Sequence, residues 1–325
     1  MGNESMLKYA IGIDIGGTRT KAGLADINEG RVLDLIVSPT ERYDSELFIS
    51  SLYSQYCSLL EKTGIAPEMI AGLGIGAPGF VYDDGSVDST FGFLPFMDAH
   101  FQLKESLERK FKMPCLVDND ARIVALGEAM FGGGKGYGRV LALTLGRGLG
   151  LGFIVNGKFE TELPYAHLGG HITIATSDIQ CYCGRRGCME ALVSATGIME
   201  AASRAGWEKE HPGITLSAES VFEEARNGNK TAVRIISDLI LNLKTGISNF
   251  IAIFAPDIII IGGGVSKGLI PYLNQLRQLR YLNPFNNYKF EIVLSELDEH
   301  SGILGSAALF IPHQNQNEQH ESTSC

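Results

Sequence analysis

An apolar strand that runs straight into a glycine turn occurs twice in this chain, in different halves. The first is KYAIGIDIGG, Lys8–Gly17; the second passes through Arg139–Leu145 into Gly146–Gly152. Glycines at such a turn let backbone N–H groups approach a polyphosphate. A pair of these units, far apart in sequence, predicts an α/β protein of two lobes, each bringing one phosphate loop to a shared cleft. In the first loop the candidate contacts are Asp14, Gly16, Gly17, Thr18, Thr20 and Lys21. The threonines can donate hydroxyl hydrogen bonds, and Asp14 can hold Mg²⁺ through water. An ordinary tight hairpin turn would read the same way. In the second loop the candidates are Gly146, Arg147 and Gly148. A third glycine cluster, Gly262–Gly264, follows the apolar strand Asp257–Ile261. Gly263 and Gly264 could offer a flat backbone to an adenine, or could simply lead into a helix with Ser266 as its N-cap.

Neither loop has the GxxxxGK[ST] spacing of a Walker motif, and GIDIGG lacks the GxGxxG spacing of a dinucleotide fold. Around the loops, periodicity predicts helices over Glu46–Thr63, Phe101–Phe111 and Thr231–Phe254 and a last one over Ser301–Phe310. Buried strands are expected at Ile70–Gly79, Cys115–Val117 and Glu291–Leu297. Asp118, Asn119 and Asp120 lie where a strand meets a helix, the end that faces the ligand crevice in open α/β sheets. A carboxylate there can accept the proton of an attacking hydroxyl, or Asp118 or Asp120 can serve as a helix N-cap.

The sharpest chemical signal is His171 with Cys181, Cys183 and Cys188. Three of the six cysteines crowd into eight residues, CYCGRRGC. Three thiolates and an imidazole complete a closed Zn²⁺ shell, which leaves no position for a catalytic water, so the site reads as structural. His167 is an alternative fourth ligand. A net charge of −10 excludes broad nucleic-acid or anionic-membrane binding. No apolar run reaches a membrane span and the first residues have no signal core, so a cytoplasmic protein is expected. The Gln/Asn/Ser-rich stretch from His313 to Cys325 is expected to be disordered.

In order along the chain, IGIDIGGTRTKAGL, GLGIGAPG, VDNDA, LTLGRGLGLG, GGHITI, CYCGRRGCMEAL, PDIIIIGGGVS and GILGSAAL resemble the ROK family (repressors, open reading frames, kinases) over roughly residues 8 to 311. The resemblance implies a two-lobed actin/hexokinase-like ATPase fold with ribonuclease H-like repeats and a zinc-bearing loop. The small lobe would be residues 1–119 plus 301–312, the large lobe 120–300, and 313–325 the tail. It also implies MgATP and transfer of the γ-phosphoryl group to a hexose or N-acetylhexosamine hydroxyl, commonly at C6. Asp120 would be the general base, Asn119 would hold sugar hydroxyls and Gly79 would meet the sugar through backbone. His171 and Glu190 would border the sugar pocket, and the protein would be a homodimer. Members that are repressors carry a helix-turn-helix ahead of the kinase-like part; here the first strand begins near Lys8, so none is expected.

Two positions depart from the family pattern. Leu168 stands where a sugar-binding Glu is usual, which removes a charge-assisted hydrogen bond of about 2 kcal/mol and predicts an altered sugar preference. Arg147 replaces a Thr near the β/γ-phosphates and is expected to contact them. The alternative that these changes raise is a non-catalytic sugar- or nucleotide-sensing protein on a kinase fold.

Overall fold

The structure is a computed structural model that describes residues 7–89, 94–159, 166–279 and 287–311. The stretch from His313 to Cys325 and the side chain of His167 lie outside the described residues.

Two mixed five-stranded sheets organise the chain. The first has the order β3 (Arg31–Pro39), β2 (Arg19–Asp26), β1 (Tyr9–Ile15), β4 (Ile70–Ala77), β7 (Cys115–Asn119). β1 to β3 form an antiparallel meander, while β4 and β7 run parallel to β1. A two-stranded hairpin, β5 (Phe80–Val81) with β6 (Val87–Asp88), follows β4. The second sheet has the order β10 (Lys158–Phe159), β9 (Leu149–Val155), β8 (Arg139–Leu145), β11 (Ile258–Gly262), β12 (Glu291–Leu294). It repeats the logic, with an antiparallel pair followed by parallel additions. Strands β4 and β11 are buried almost throughout, as parallel strands covered on both faces must be.

Helices α1 (Ser45–Thr63) and α2 (Leu103–Phe111) cover the outer face of the first sheet, burying Phe48, Leu52, Leu59, Leu103 and Leu107. The α1 start is fixed by Asp44, whose carboxylate accepts from Glu46 N and Leu47 N. On the second sheet, α4 (Met189–Val193), α5 (Ala195–Arg204), α6 (Trp207–Glu210), α7 (Ala218–Arg226), α8 (Lys230–Phe254) and α9 (Leu273–Arg277) build a larger core. Buried Ile236, Ile240, Leu243, Ile247 and Phe250 mark the helical stripe of α8.

Between the sheets lie α3 (Asp120–Phe131) and α10 (Ser301–Ala308), packed on each other; α10 lies on the first sheet, and α3 on the second with a further contact to β4 and β7 of the first. They cross through glycines: a Cβ at Gly127 would meet Ser301 O, and one at Gly305 would meet Ile123 O. Among the described residues no helix is long and apolar enough to cross a membrane.

Ser266 does not cap a helix. It lies inside a 3₁₀ turn, Gly264–Tyr272, and its hydroxyl donates back to Gly263 O at 2.7 Å. Gly263, at φ 82°, makes that turn because a Cβ there would strike Leu145 O.

Candidate functional site

Parallel pairing delivers the first wall of a cleft. In register, Asp14 of β1 stands opposite Gly76 of β4, and Gly76 opposite Asp118 of β7; one residue on, Ala77 faces Asn119. The strand ends therefore bring Asp14, Pro78–Gly79 and Asn119–Asp120 to one edge. The β8–β9 turn, Gly146–Gly148, and Glu190 of α4 supply the opposite wall. The cleft between them has a volume of ≈ 530 Å³.

At the strand–helix junction three adjacent polar residues divide the work. Asn119, not Asp118 or Asp120, is the N-cap of α3: its side-chain oxygen accepts from Ala121 N at 3.0 Å and Arg122 N at 3.3 Å. Its amide nitrogen donates to Gly79 O at 2.9 Å, tying the two strand-end loops together. Asp118 turns away to pair with Arg122 at 2.8 Å. Asp120, first residue of the helix, thus keeps its carboxylate at the cleft. Burial pushes its pKa up to about 7, and the nearby Asp14 charge adds to the rise. Burial also raises Asp14, against the pull of Lys21 3.7 Å away. Two carboxylates that resist ionisation side by side form an arrangement that a divalent cation relieves.

Of the expected phosphate contacts, Asp14, Gly16, Gly17, Gly146, Arg147 and Gly148 line the cleft. Thr18, Thr20, Lys21, Gly263 and Gly264 are not among its lining residues. Thr20 is buried, and its hydroxyl meets that of Thr40 at 2.8 Å. Thr40 in turn donates to Gly16 O at 2.7 Å, so the pair clamps the turn from behind. The Gly16 N–H closes the same turn onto Arg19 O, and the Gly146 N–H closes the second loop onto Gly148 O. The alternating glycines of the second loop divide by task. A Cβ at Gly148 would meet Glu190 Oε2, whereas Cβ atoms at Gly150 and Gly152 would meet Ala121 and Ala125 of α3. The last two are there for close helix-on-strand packing.

His171, Cys181, Cys183 and Cys188 converge, with their ligand atoms all within 4.8 Å of one another. Cys181 Sγ lies 3.5 Å from His171 Nδ1, and Cys183 Sγ lies 3.6 Å from Cys188 Sγ. Ligands about 2.0–2.3 Å from a tetrahedral ion stand roughly 3.5–3.8 Å apart, so these two pairs stand at the spacing of zinc ligands, within a set whose donors lie inside 4.8 Å of one another. Burial pushes the Cys181 thiol up to about 12; a bound divalent cation is what would make a thiolate of it. Glu190 connects this cluster to the second loop, for its Oε2 accepts from Leu149 N at 2.9 Å.

Several lining residues carried no sequence signal of their own: Phe80, Ser89, Thr144 and Tyr182. Ser89 is buried and its hydroxyl has no hydrogen-bond partner among the described residues. It follows the β5–β6 hairpin, and only the folding of that hairpin against Gly79 brings it into the cleft.

A sequence profile of the ROK family matches residues 10–313. A glucokinase from Thermotoga maritima is 32% identical over 317 residues, covering 92% of this chain and 96% of its own. A xylose repressor from Caldicellulosiruptor bescii is 26% identical over 316 residues, covering 93% of this chain and 77% of the repressor. Among solved structures, a ROK family glucokinase from Streptomyces griseus in complex with glucose and AMPPNP superposes with a TM-score of 0.77. It is 29% identical, with 93% of this chain and 98% of that chain covered.

Proposed function

Since the chain belongs to the ROK family, we propose that it is a glucokinase-like sugar kinase that transfers the γ-phosphoryl group of ATP to the C6 hydroxyl of a hexose or N-acetylhexosamine, with Asp120 as general base. The observation that carries the reading is the Asp120 carboxylate. It stands in the cleft while Asn119 serves as the helix N-cap and Asp118 takes the Arg122 ion pair; its Oδ1 accepts from the adjacent Ala121 N–H at 2.8 Å. A carboxylate whose pKa sits near neutrality is suited to take a hydroxyl proton as phosphoryl transfer proceeds. Asn119 and Gly79, tied together, form the acceptor's backbone floor, with His171 and Glu190 beside it.

Gly16, Gly17, Gly146 and Gly148 leave room for the polyphosphate between the walls, and Arg147 is the cation that meets it. Mg²⁺, when bound, neutralises charge shared between the phosphates, and Asp14 is the carboxylate that would hold it. The family likeness carries Thr18, Thr20, Lys21, Gly263 and Gly264 into the nucleotide site; for Thr20 the role that fits its burial is support of the turn. Zinc on His171, Cys181, Cys183 and Cys188 would fix the loop that carries Tyr182 and orients Glu190. The reading includes a homodimer working in the cytoplasm, where a cluster of reduced cysteines persists; sedimentation velocity tests the first part.

An ADP-release assay across hexoses and N-acetylhexosamines tests the function. Turnover should appear with at least one sugar, and Asp120→Asn should lower kcat by about 10²–10⁴-fold with acceptor binding retained. An unchanged kcat would sink the base assignment. Arg147→Ala should raise the KM for ATP severalfold; unaltered KM and kcat would remove Arg147 from the phosphate site. The xylose repressor relative favours a second reading, a sugar sensor without turnover. Tight sugar binding with no ADP release on any acceptor would decide for it.

A further inference from the structure

Glu128 is a buried carboxyl that the proposed chemistry leaves unused. It lies further along α3, the helix that begins with Asp120, and is 1% exposed. Its Oε1 accepts from the Ser295 hydroxyl across 167 residues. Its Oε2 takes the space that a Cβ on Gly132 would fill. Ser295 follows β12 directly, and its N–H donates to Ile261 O of β11 at 2.9 Å. The Ser295 hydroxyl oxygen also accepts from Asp298 N at 3.2 Å. Asp298 opens the 3₁₀ turn Asp298–His300 that leads into α10, and Ser301 Oγ donates to Asp298 O at 2.9 Å. One carboxyl therefore joins three pieces: α3, the end of the second sheet and the start of α10.

Each of the two helices in this joint supports a cleft carboxylate. Asp120 begins α3, and Asp14 rests on the first turn of α10, where a Cβ on Gly302 would lie 2.8 Å from Asp14 Cγ. The helices meet where Ser301 O stands over Gly127, the residue before Glu128. Glycine surfaces let two helices approach, whereas a directional hydrogen bond beside the crossing holds its angle. We propose that Glu128 is a positioning residue, acting through Ser295, that fixes the spacing of Asp14 and Asp120 and with it the divalent-cation requirement of the site. The inference rests on the sugar-kinase reading and deepens it. Burial pushes the Glu128 pKa up, against the pull of the Ser295 hydroxyl. What the joint needs is an acceptor of this shape rather than a charge, so a glutamine should serve.

The test compares the full chain with its Ser295→Ala, Glu128→Ala and Glu128→Gln variants. Turnover is followed by ADP release, ATP binding at graded Mg²⁺ by titration calorimetry, and folding by melting temperature. Ser295→Ala and Glu128→Ala should lower kcat about tenfold or more, since small displacements of reacting groups carry losses of that size. Both should raise the Mg²⁺ concentration for half-maximal ATP binding about threefold or more, with the acceptor KM within about twofold of the parent chain. Glu128→Gln should bring kcat and the Mg²⁺ midpoint back to within about threefold of the parent. Ser295→Ala deletes a single oxygen and decides alone if Glu128→Ala does not fold. A melting temperature that falls while kcat and the Mg²⁺ midpoint hold would overturn the proposal, since the pair would then only stabilise the fold. A Glu128→Gln chain as impaired as Glu128→Ala would overturn it too. If the parent chain turned over no hexose or N-acetylhexosamine, the sugar-kinase reading would fall, and the Mg²⁺ midpoint of Ser295→Ala would still decide the role of Glu128.

Discussion

Asp120 illustrates how much a single side chain owes to its neighbours. Its carboxylate titrates near 7 in the folded chain, against 3.8 ordinarily. A general base must be ionised, so kcat/KM should rise with pH and level off above about 7, and bound Mg²⁺ should move that limb toward acid. A profile flat from pH 5.5 to 8 would contradict the assignment. The same shift has a cost in stability. Between pH 4 and 7 the native state holds a proton that the unfolded chain has lost, so this residue's contribution falls as pH rises through that window. Asp120→Asn should therefore stabilise the protein at pH 8, by on the order of 1–2 kcal/mol, even as it lowers kcat. Thermal unfolding of the pair at pH 8 checks it; a less stable variant would count against the buried-charge account. The sequence made this carboxylate visible but not its place in the cleft. Asp118, Asn119 and Asp120 can each cap a helix, and the choice of Asn119 depends on Gly79, forty residues away, and on Arg122 claiming Asp118. Thr20 was equally opaque, because its partner Thr40 arrives from the far end of β3.

At the scale of elements, the apolar runs were legible almost to the residue. The helix expected over Thr231–Phe254 spans Lys230–Phe254, and the strand expected over Glu291–Leu297 stops at Leu294. What the periodicity did not carry was why the glycines are spaced as they are. Gly152 looks like part of a phosphate loop, yet it lies under α3; Gly150 lines the cleft and packs on α3 as well, and Gly127 and Gly305 let α3 and α10 cross. Backbone meets backbone there, with no flexible side chain to give way. Gly305→Ala should cost about 2–4 kcal/mol through overpacking, read as a fall in denaturation midpoint. Gly64→Ala provides the contrast: nothing occupies the space around a Cβ there, and its cost is that of the left-handed φ of 67° alone.

For the whole molecule, the Cys-rich loop and the β8–β9 loop are one mechanical unit, since Glu190 receives Leu149 N–H beside the cluster. Stripping the chain with a strong chelator should lower its melting temperature by about 5 °C or more. The same treatment should weaken ATP binding, and zinc alone should restore both. A chelated protein that melts unchanged would dismiss the metal. The Cys₃His spacing was plain in the sequence; its coupling to the glycine loop was not, because Glu190 and Leu149 are forty-one positions apart and neither belongs to the cluster.

The helix that seals the inner face of the first sheet has a consequence in time rather than space. Strand β1 leaves the ribosome well before α10, yet its inner face is covered by α10, and Ser306 donates to Ile13 O across 293 residues. At roughly 5–20 residues per second, about 15–60 seconds pass between the two being made. Throughout that interval Ala10, Ala25 and Ile27, which pack against Leu304 and Ala307 of α10, belong to a sheet face that cannot close, and the nascent chain depends on whatever shields them until α10 arrives.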